Sequence, residues 1–402
     1  MKILFISYIY WPPDFGGALL HIIERLESLA ERGNQICVLT SGAEGFDLFE
    51  KKAGFIIHRS GYSKKGNILE KTFHRLFFLI WVLIQLQKED YEIVHMGSLP
   101  GIDKFTFALC GLLFLSVIHR RKAKAVYLYS LAESESTIIN LKGASGFFFG
   151  SFLKNLDAVV INSTGLYKGM QSVCGSKTRM ILNGVRDDVF FQDQQIRELI
   201  RKENGLTDEI VFTFIGSLEK RKGVDILLNA YESVIQKNPN VRLWIIGPFD
   251  KKSNQNIDER ESSSLLKKAK ALPDVTCWGR INERTELNRL LNASDVFVFP
   301  TRREGMPMAP LQAMACGVPV IISKIPGVTD LANIDQVTGL FIPVGDVEAL
   351  GSVMLKLAES PELRVRMSEA AVKRIHGFFS WQKHVTEWEK LYQNLSTESS
   401  RP

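Results

Sequence analysis

The feature that most constrains this chain is the segment 296–323, which reads as a strand, a tight loop, a short helix and a second strand. Val296–Pro300 is an apolar run of β-forming residues, and the glycine and prolines after it cannot extend it. Pro310 suits the first turn of a helix, and Gly317 stands where a left-handed residue would end it. The helix therefore starts beyond the carboxyl end of a strand, where its unpaired N–H groups favour a phosphate.

Strand and helix signals alternate over both halves of the chain, which predicts parallel sheets covered by helices on both faces. Ala18–Arg32 is a predicted helix that ends at Gly33. The predicted strands of the first half are Ile3–Tyr8, Gln35–Thr40, Phe55–Arg59, Glu92–His95, Ala125–Tyr129, Ala158–Asn162 and Arg179–Leu182. Those of the second half are Ile210–Ile215, Val241–Ile246, Val275–Trp278, Val296–Phe299, Val318–Ile322 and Leu340–Pro343.

A chain of 402 residues is long enough for two domains with cores of their own. The polar stretch 186–208 breaks the apolar pattern, and we predict the domain boundary and a linker there. A helix after Pro361 and an amphipathic helix from Trp381 to about Leu395 are expected to end the fold. Two doubly wound domains would leave a cleft between them, which is a natural ligand site.

Composition excludes several classes of protein. The net charge of +6 is too diffuse to indicate nucleic acid. Five cysteines are scattered and never form C-x-x-C pairs, which predicts buried thiols in a reducing compartment and no zinc site. The apolar segments Leu76–Leu86 and Phe105–Ile118 are too short to span a bilayer, and the N-terminus lacks a signal-peptide pattern. We therefore predict a cytoplasmic protein.

Two glycine-containing turns are the first candidate sites. Gly16-Gly17 with His21 follows the opening strand, and glycines there would let the backbone approach a ligand. The other reading is a plain strand-to-helix turn. The second turn is Gly216–Gly223, in which Arg221 and Lys222 could bind a diphosphate. Its spacing is not that of a Walker A motif. The other reading is a solvated basic turn, which is the more usual structure for such a run.

Three further candidates carry side-chain chemistry. Glu304 and Gln312 flank the start of the predicted helix and can bond hydroxyls, unless Glu304 forms only a surface ion pair. His95 ends a strand where α/β sites usually lie, although a single histidine is more often structural. The basic run 120–124 could touch anionic lipid, or be only a solvated face.

Together these pieces resemble the family-4 retaining glycosyltransferases of the GT-B fold, over most of the chain. The most specific part is the Pro300–Pro319 block. The supporting motifs are Gly16-Gly17-x-x-x-His21, Asn183-Gly184-Val185, Arg221-Lys222-Gly223 and Phe379-Ser380-Trp381. The resemblance implies an α/β protein of two Rossmann-like doubly wound domains that face each other across a cleft. Residues 1–187 would bind the acceptor and 188–375 the nucleotide-sugar donor, with a helix over 376–396 crossing back onto the first domain.

The resemblance also implies roles for individual residues. Lys222 and Arg221 would hold the donor diphosphate, Glu304 would touch the transferred sugar, and His95 joins them as a catalytic candidate. The expected donor-binding residues are Gly16, Gly17, Gly216, Ser217, Arg280, Gly305, Met306, Pro307, Met308, Ala309 and Gln312, with His21 on the acceptor side. No metal and no cofactor are expected besides the nucleoside-diphosphate sugar itself.

Three departures from the family pattern bear on the site. The second glutamate of the E-x7-E motif is Gln312, which weakens the expected ribose contact without removing it. Ser217 stands where many members have arginine, so Arg221 must supply that charge. Many members have a histidine after the strand at Ala125–Tyr129, where this chain has Ser130 and Leu131.

The predicted activity is transfer of a sugar to an acceptor hydroxyl with retention of configuration, in bacterial-type cell-surface glycan or glycolipid synthesis. The acceptor would be a glycan or a lipid-linked molecule, with peripheral contact to an anionic membrane at its inner face and no nucleic acid partner. Two alternatives stay open. One is a GT-B-fold nucleotide-sugar epimerase or hydrolase, and the other is a non-catalytic nucleotide-sugar-binding subunit, which Gln312 and Ser217 favour.

Overall fold

The computed structural model describes residues 1–8, 17–41, 46–52, 54–61, 68–97, 104–129, 143–250, 257–333 and 335–398. The chain divides into two compact units, which we call unit 1 (Met1–Leu182 with Val385–Pro402) and unit 2 (Asn183–His384). Each unit has its own sheet with helices against it. The predicted α/β class with two doubly wound halves is confirmed.

Unit 1 is built on an eight-stranded sheet of order β3-β4-β2-β1-β5-β6-β7-β8. All neighbouring strands are parallel except β3, which is antiparallel to β4. The strands are β1 Lys2–Ser7, β2 Gln35–Thr40, β3 Phe49–Lys52, β4 Phe55–Arg59, β5 Ile93–Met96, β6 Lys124–Tyr129, β7 Ala158–Ile161 and β8 Thr178–Met180. The helices are α1 Gly17–Glu31, α2 Ile68–Lys88, α3 Lys104–Arg120, α4 Gly143–Asn155 and α5 Tyr167–Cys174.

The sheet of unit 1 is covered on both faces, which explains its continuous apolar strands. Leu4 and Ile6 of β1 join the core that α2, α3 and α4 form on one face. Phe5, between them in the chain, points to the other face and packs against His95 with ring centroids 5.2 Å apart. Successive residues of a strand alternate between faces, so a strand with both faces covered is apolar at every position.

Unit 2 has a six-stranded parallel sheet of order β11-β10-β9-β12-β13-β14. Its strands are β9 Ile210–Ile215, β10 Val241–Ile246, β11 Val275–Gly279, β12 Val296–Phe299, β13 Val320–Ser323 and β14 Gly339–Ile342. Its helices are α6 Gln194–Glu203, α7 Val224–Lys237, α8 Glu259–Ala271, α9 Arg284–Ala293, α10 Met308–Ala315, α11 Thr329–Ala332, α12 Val347–Ala358 and α13 Pro361–Arg374. A π-helical turn, Ile375–Phe379, leads into the last helix, α14 Trp381–Glu398.

The thirteen predicted strands are all present, with bounds shifted by two residues or fewer. Strand β3 was not predicted, because Glu50, Lys51 and Lys52 give this edge strand no apolar alternation. The stretch 186–208, where we predicted the domain boundary, contains α6, and this helix lies in unit 2. Arg197 and Arg201 of α6 both pair with Asp295, which fixes the helix to that unit.

No helix in the described ranges combines the length and the apolar character that crossing a membrane requires. The five cysteines are free, and all but the half-buried Cys277 are buried.

Candidate active site

The carboxyl ends of β9 to β12 bring several backbone turns of unit 2 into contact. Gly216 follows β9 and Gly247 follows β10, and a Cβ added to Gly247 would lie 2.0 Å from the Gly216 carbonyl oxygen. Gly223 has φ +77°, and a Cβ there would lie 1.9 Å from the carbonyl oxygen of Pro300. Only glycine fits such approaches. The basic turn after β9 is therefore held directly against the loop after β12.

This contact brings together three side chains that the sequence predicted as a group. Lys222 Nζ lies 2.6 Å from Glu304 Oε1, and the nearer guanidinium nitrogen of Arg221 lies 3.6 Å from the same oxygen. The Glu304 side chain is 9% exposed and that of Lys222 is 17% exposed, whereas Arg221 is 42% exposed. A shielded carboxylate beside two cations forms a small, net positive centre.

Thr301 is a member of this site that the sequence analysis did not single out. It is fully buried, and its hydroxyl lies 3.1 Å from Glu304 Oε1 and 3.2 Å from the Arg221 carbonyl oxygen. The hydroxyl can donate only one proton at a time, so it stabilises either the carboxylate or the basic turn. Its place one residue after the Pro300 that Gly223 touches is the only sequence signal for this role.

A second pair fixes the same loop from outside. Both terminal guanidinium nitrogens of Arg302 donate hydrogen bonds to the carboxylate of Asp225, at 2.7 and 2.8 Å. Such forked pairs hold a planar geometry. Since Asp225 lies in the first turn of α7, the loop carrying Glu304 is tied to the helix that comes after the basic turn.

Helix α10 begins just beyond Glu304 with no side-chain cap at Pro307. Proline at 310 removes one N–H from the first turn, which leaves those of Met308 and Ala309 near its start. Gln312 lies in the second turn and is half-buried. The helix ends as predicted: Gly317 has φ +73° and donates to Met314, and Val318 donates to Ala313, which is a Schellman motif.

Asn183 links a second motif of the sequence to this loop. Its side-chain amide donates to the Met306 carbonyl at 3.1 Å. Two residues on, Val185 donates to the Phe379 carbonyl at 2.7 Å. Gly184 between them has no room for a side chain, because a Cβ would lie 2.5 Å from that of His384. The two motifs 183–185 and 379–381 therefore form one structural piece of unit 2.

The remaining predicted donor residues of unit 2 lie along the same sheet edge. Ser217 follows Gly216 and is buried, and the half-buried Arg280 follows Gly279 at the end of β11. Gly247 donates to the Gly279 carbonyl at 2.8 Å, so β9, β10 and β11 end side by side. Gly305 and Ala309 are half-buried on the loop and first turn around Met306.

Of the residues predicted in unit 1, Gly16 lies outside the described residues. Gly17 is the first residue of α1, and His21, one turn further along that helix, is buried.

The predicted catalytic role of His95 is corrected. The side chain is fully buried at β5, and its Nδ1 lies 2.6 Å from the Tyr392 hydroxyl of α14. Its ring stacks on Trp388 with centroids 5.1 Å apart, and Phe5 covers another side. A ring enclosed in this way cannot touch a substrate, so His95 holds α14 against the sheet of unit 1.

Arg25 completes this buried cluster. Its guanidinium lies 3.8 Å from the centroid of the Trp388 ring, and burial lowers the pKa of Arg25 to about 10. Burial, together with the Arg25 charge, lowers the pKa of His95 well below its usual range, so the ring is neutral. Burial also raises the pKa of Tyr392 to about 12. The sequence could not show the cluster, because its members come from opposite ends of the chain.

The part of the chain that contains this site resembles a known family of enzymes. Residues 196–374 match the family described as "Glycosyl transferases group 1". The capsular polysaccharide biosynthesis glycosyltransferase CapM of Staphylococcus aureus is 29% identical over 218 residues, which is 54% of this chain and 54% of the relative. The match therefore spans about half the length of this curated relative.

Solved structures share the fold over nearly the whole chain. Sucrose-phosphate synthase from Thermosynechococcus elongatus superimposes with a TM-score of 0.82 at 20% identity, covering 99% of both chains. Anabaena Alr3699/HepE in complex with UDP-glucose does so with a TM-score of 0.75 at 16% identity, over 98% of this chain and 100% of that one. These structures confirm the GT-B fold over nearly the whole chain, and the glycosyltransferase family match itself covers residues 196–374.

Proposed function

We propose that this chain, whose residues 196–374 match a group 1 glycosyltransferase domain, transfers a sugar from a nucleoside-diphosphate sugar to an acceptor hydroxyl with retention of configuration. The observation that carries the proposal is the convergence of Lys222 and Arg221 on Glu304, which lies in the loop that leads into the uncapped helix α10. A compact cationic centre beside free helix N–H groups suits a diphosphate, and the carboxylate suits sugar hydroxyls.

The cations would act on the leaving group. As the bond between the sugar carbon and the diphosphate breaks, negative charge builds up on phosphate oxygens. Lys222, Arg221 and the N–H groups of Met308 and Ala309 would stabilise that charge without a metal ion. In comparable sites one such donor contributes ~3–4 kcal/mol to the transition state. Lys222 is the better placed of the two cations, because its ammonium is shielded from water.

Glu304 would position the transferred sugar. Its Oε1 accepts hydrogen bonds from Lys222 and Thr301. The carboxylate can accept further hydrogen bonds from sugar hydroxyls. Since this carboxylate is held by two partners, it is better suited to orienting a sugar than to attacking it. Retention would then result from attack on the same face as departure: the acceptor oxygen bonds to the sugar carbon, the bond to the diphosphate breaks, and a phosphate oxygen takes the acceptor proton.

The nucleoside would lie along the sheet edge of unit 2. Gln312 is proposed to bond the ribose, the backbone of Gly305–Ala309 the sugar and phosphates, and Gly216, Ser217 and Arg280 the remainder of the donor. Gly16, Gly17 and His21 are proposed to contribute from the acceptor domain. The relative named for capsular polysaccharide biosynthesis supports a glycan or lipid-linked acceptor. The neighbour solved with UDP-glucose makes UDP-sugars the first donors to test.

Thermal shift with UDP, GDP, ADP and their sugars tests the donor site. A ligand at about 100 times its Kd should stabilise the protein by ~2.7 kcal/mol, and Lys222→Ala should lose that shift. Lys220→Ala is the matched control, since Lys220 is an exposed neighbour in the same turn. If no nucleotide stabilises the wild type, the donor site is wrong.

A turnover assay with the stabilising nucleotide-sugar separates the two alternatives. Release of nucleotide that requires an acceptor supports transfer. Turnover without an acceptor supports an epimerase or hydrolase. Binding of the nucleotide-sugar without turnover, whichever acceptor is added, supports the non-catalytic subunit that Gln312 favours. Proton NMR of the new glycosidic bond reports whether the anomeric configuration is retained.

A further inference from the structure

An unusual apolar surface lies on the helices of unit 1. Five large apolar side chains of α2, namely Phe73, Leu76, Phe77, Ile80 and Ile84, are exposed. Their spacing places them on one face of the helix, over a length of about 17 Å. The opposite face, with Phe78, Val82 and Leu86, is buried in the core. Helix α2 is therefore apolar on both sides, and one of these sides is exposed in the described part of the chain.

The exposed face continues onto the neighbouring helices. Helix α2 packs against α3, and α3 packs against α4. Leu109 and Leu113 of α3 and Phe147 of α4 are exposed as well, and the eight side chains are between 40 and 70% exposed. Single exposed apolar residues are ordinary, whereas contiguous apolar patches mark interaction surfaces.

The charges of the same three helices are mostly basic. Helices α2, α3 and α4 carry six lysines and arginines and a single carboxylate, Glu70. Lys88, Arg120 and Lys154 lie at or next to the last residues of their helices and are exposed. An apolar face with cations at its margin matches the boundary between lipid chains and anionic headgroups. A second copy would instead bring like charges together, which disfavours self-association through this face.

We propose that the α2–α3–α4 face of unit 1 binds the surface of an anionic lipid bilayer. The apolar side chains would enter the headgroup region, and Lys88, Arg120 and Lys154 would contact lipid phosphates. The protein would then lie on the surface of the bilayer. This inference concerns lipid binding alone and does not depend on the proposed sugar transfer.

Vesicle co-sedimentation tests the proposal with phosphatidylcholine vesicles and with vesicles that contain about 30% phosphatidylglycerol. The full chain should bind the anionic vesicles at low salt and be released as salt increases. The double variant Phe73→Ser/Ile80→Ser should lose about tenfold or more in affinity. Both side chains are exposed, so the fold should persist, which circular dichroism checks. Val365→Ser is the control, because Val365 is an equally exposed apolar residue in unit 2.

A second set of variants isolates the charges. Lys88→Gln, Arg120→Gln and Lys154→Gln together should weaken binding to anionic vesicles by about 100-fold, at about fivefold per charge. Lys202→Gln, Lys237→Gln and Lys267→Gln, three exposed lysines of unit 2, should change nothing. The proposal is overturned if the wild type ignores both vesicle types. It is also overturned if the Phe73→Ser/Ile80→Ser variant converts a dimer into a monomer in sedimentation velocity without altering vesicle binding, since a second copy would then occupy the face.

Discussion

The ammonium of Lys222 lies 2.6 Å from the carboxylate of Glu304, although the two residues come from turns that follow different strands. Gly223 and Thr301 make this approach possible. Gly223 lets the backbones touch, and the Thr301 hydroxyl lies 3.1 Å from the same carboxylate oxygen that Lys222 contacts. The pair is the chemical centre of unit 2, and its role can be measured with single substitutions.

Replacing Glu304 with glutamine should separate binding from transfer. The variant keeps the shape of the side chain but no longer neutralises Lys222, so affinity for a free nucleoside diphosphate should rise by about threefold. The rate of transfer should fall by about 100-fold, because the sugar hydroxyls lose the charged carboxylate that accepts their hydrogen bonds. Calorimetry measures the affinity and initial rates measure the transfer, with Glu359→Gln, an exposed carboxylate of unit 2, as the control. An equal decrease in nucleotide affinity and in transfer rate would show that Glu304 only supports the fold.

Thr301 is expected to act as a positioning residue. In Thr301→Val the carboxylate of Glu304 loses one hydrogen bond, and kcat should fall about tenfold while the donor KM stays within about a factor of two. Thr301→Ser restores the hydroxyl and should restore most of the rate. A serine variant as slow as the valine variant would contradict the hydrogen-bonding role and point to packing instead.

Gln312→Glu tests whether this position binds the ribose. A carboxylate accepts stronger hydrogen bonds from hydroxyls than an amide does, so the donor KM should fall severalfold while kcat changes little. Steady-state kinetics with the stabilising nucleotide-sugar give both constants. An unchanged KM would place the ribose elsewhere.

Gly223→Ala should destabilise unit 2 severely. The new Cβ would lie 1.9 Å from a carbonyl oxygen at a positive φ, so a loss of about 3 kcal/mol or more is expected. Gly205→Ala is the matched control: it also has positive φ (+65°) but open space around it, so strain alone, ~1–2 kcal/mol, should appear. Urea unfolding compares them, and similar losses would mean that the contact with Pro300 is not tight.

The buried His95 should make unit 1 sensitive to acid. Its pKa in the folded protein is well below 6.5. Below about pH 6.5 this histidine is therefore protonated in the unfolded chain but stays neutral in the folded chain. Stability should therefore fall as pH decreases below that value. Hydrogen exchange of α14 should speed up between about pH 7 and pH 5 beyond the intrinsic pH dependence, and His95→Gln should reduce this change. A pH-independent protection factor in the wild type would argue against a neutral buried ring.

The sequence predicted the sheets because their strands are apolar at every position, and it predicted α10 because proline and glycine mark both of its ends. The family resemblance grouped Lys222, Arg221 and Glu304, and the structure brings these three side chains together. The sequence prediction failed at His95, where a position at the end of a strand was read as accessible. Whether a side chain at such a position is open depends on what covers it, and here the cover is Trp388 and Tyr392. Thr301 was missed because a small buried hydroxyl has no periodic signature.

Helix α10 has only eight residues, and both of its ends are fixed, by Pro307 at the start and by the turn at Gly317. Each residue added to a helix rotates all later residues by about 100° around its axis. An insertion or deletion of one residue between Pro307 and Gln312 would therefore turn Gln312 away from its present direction, and neither end of the helix could slide to compensate. This stretch should tolerate exchanges of side chains far better than any change in its length.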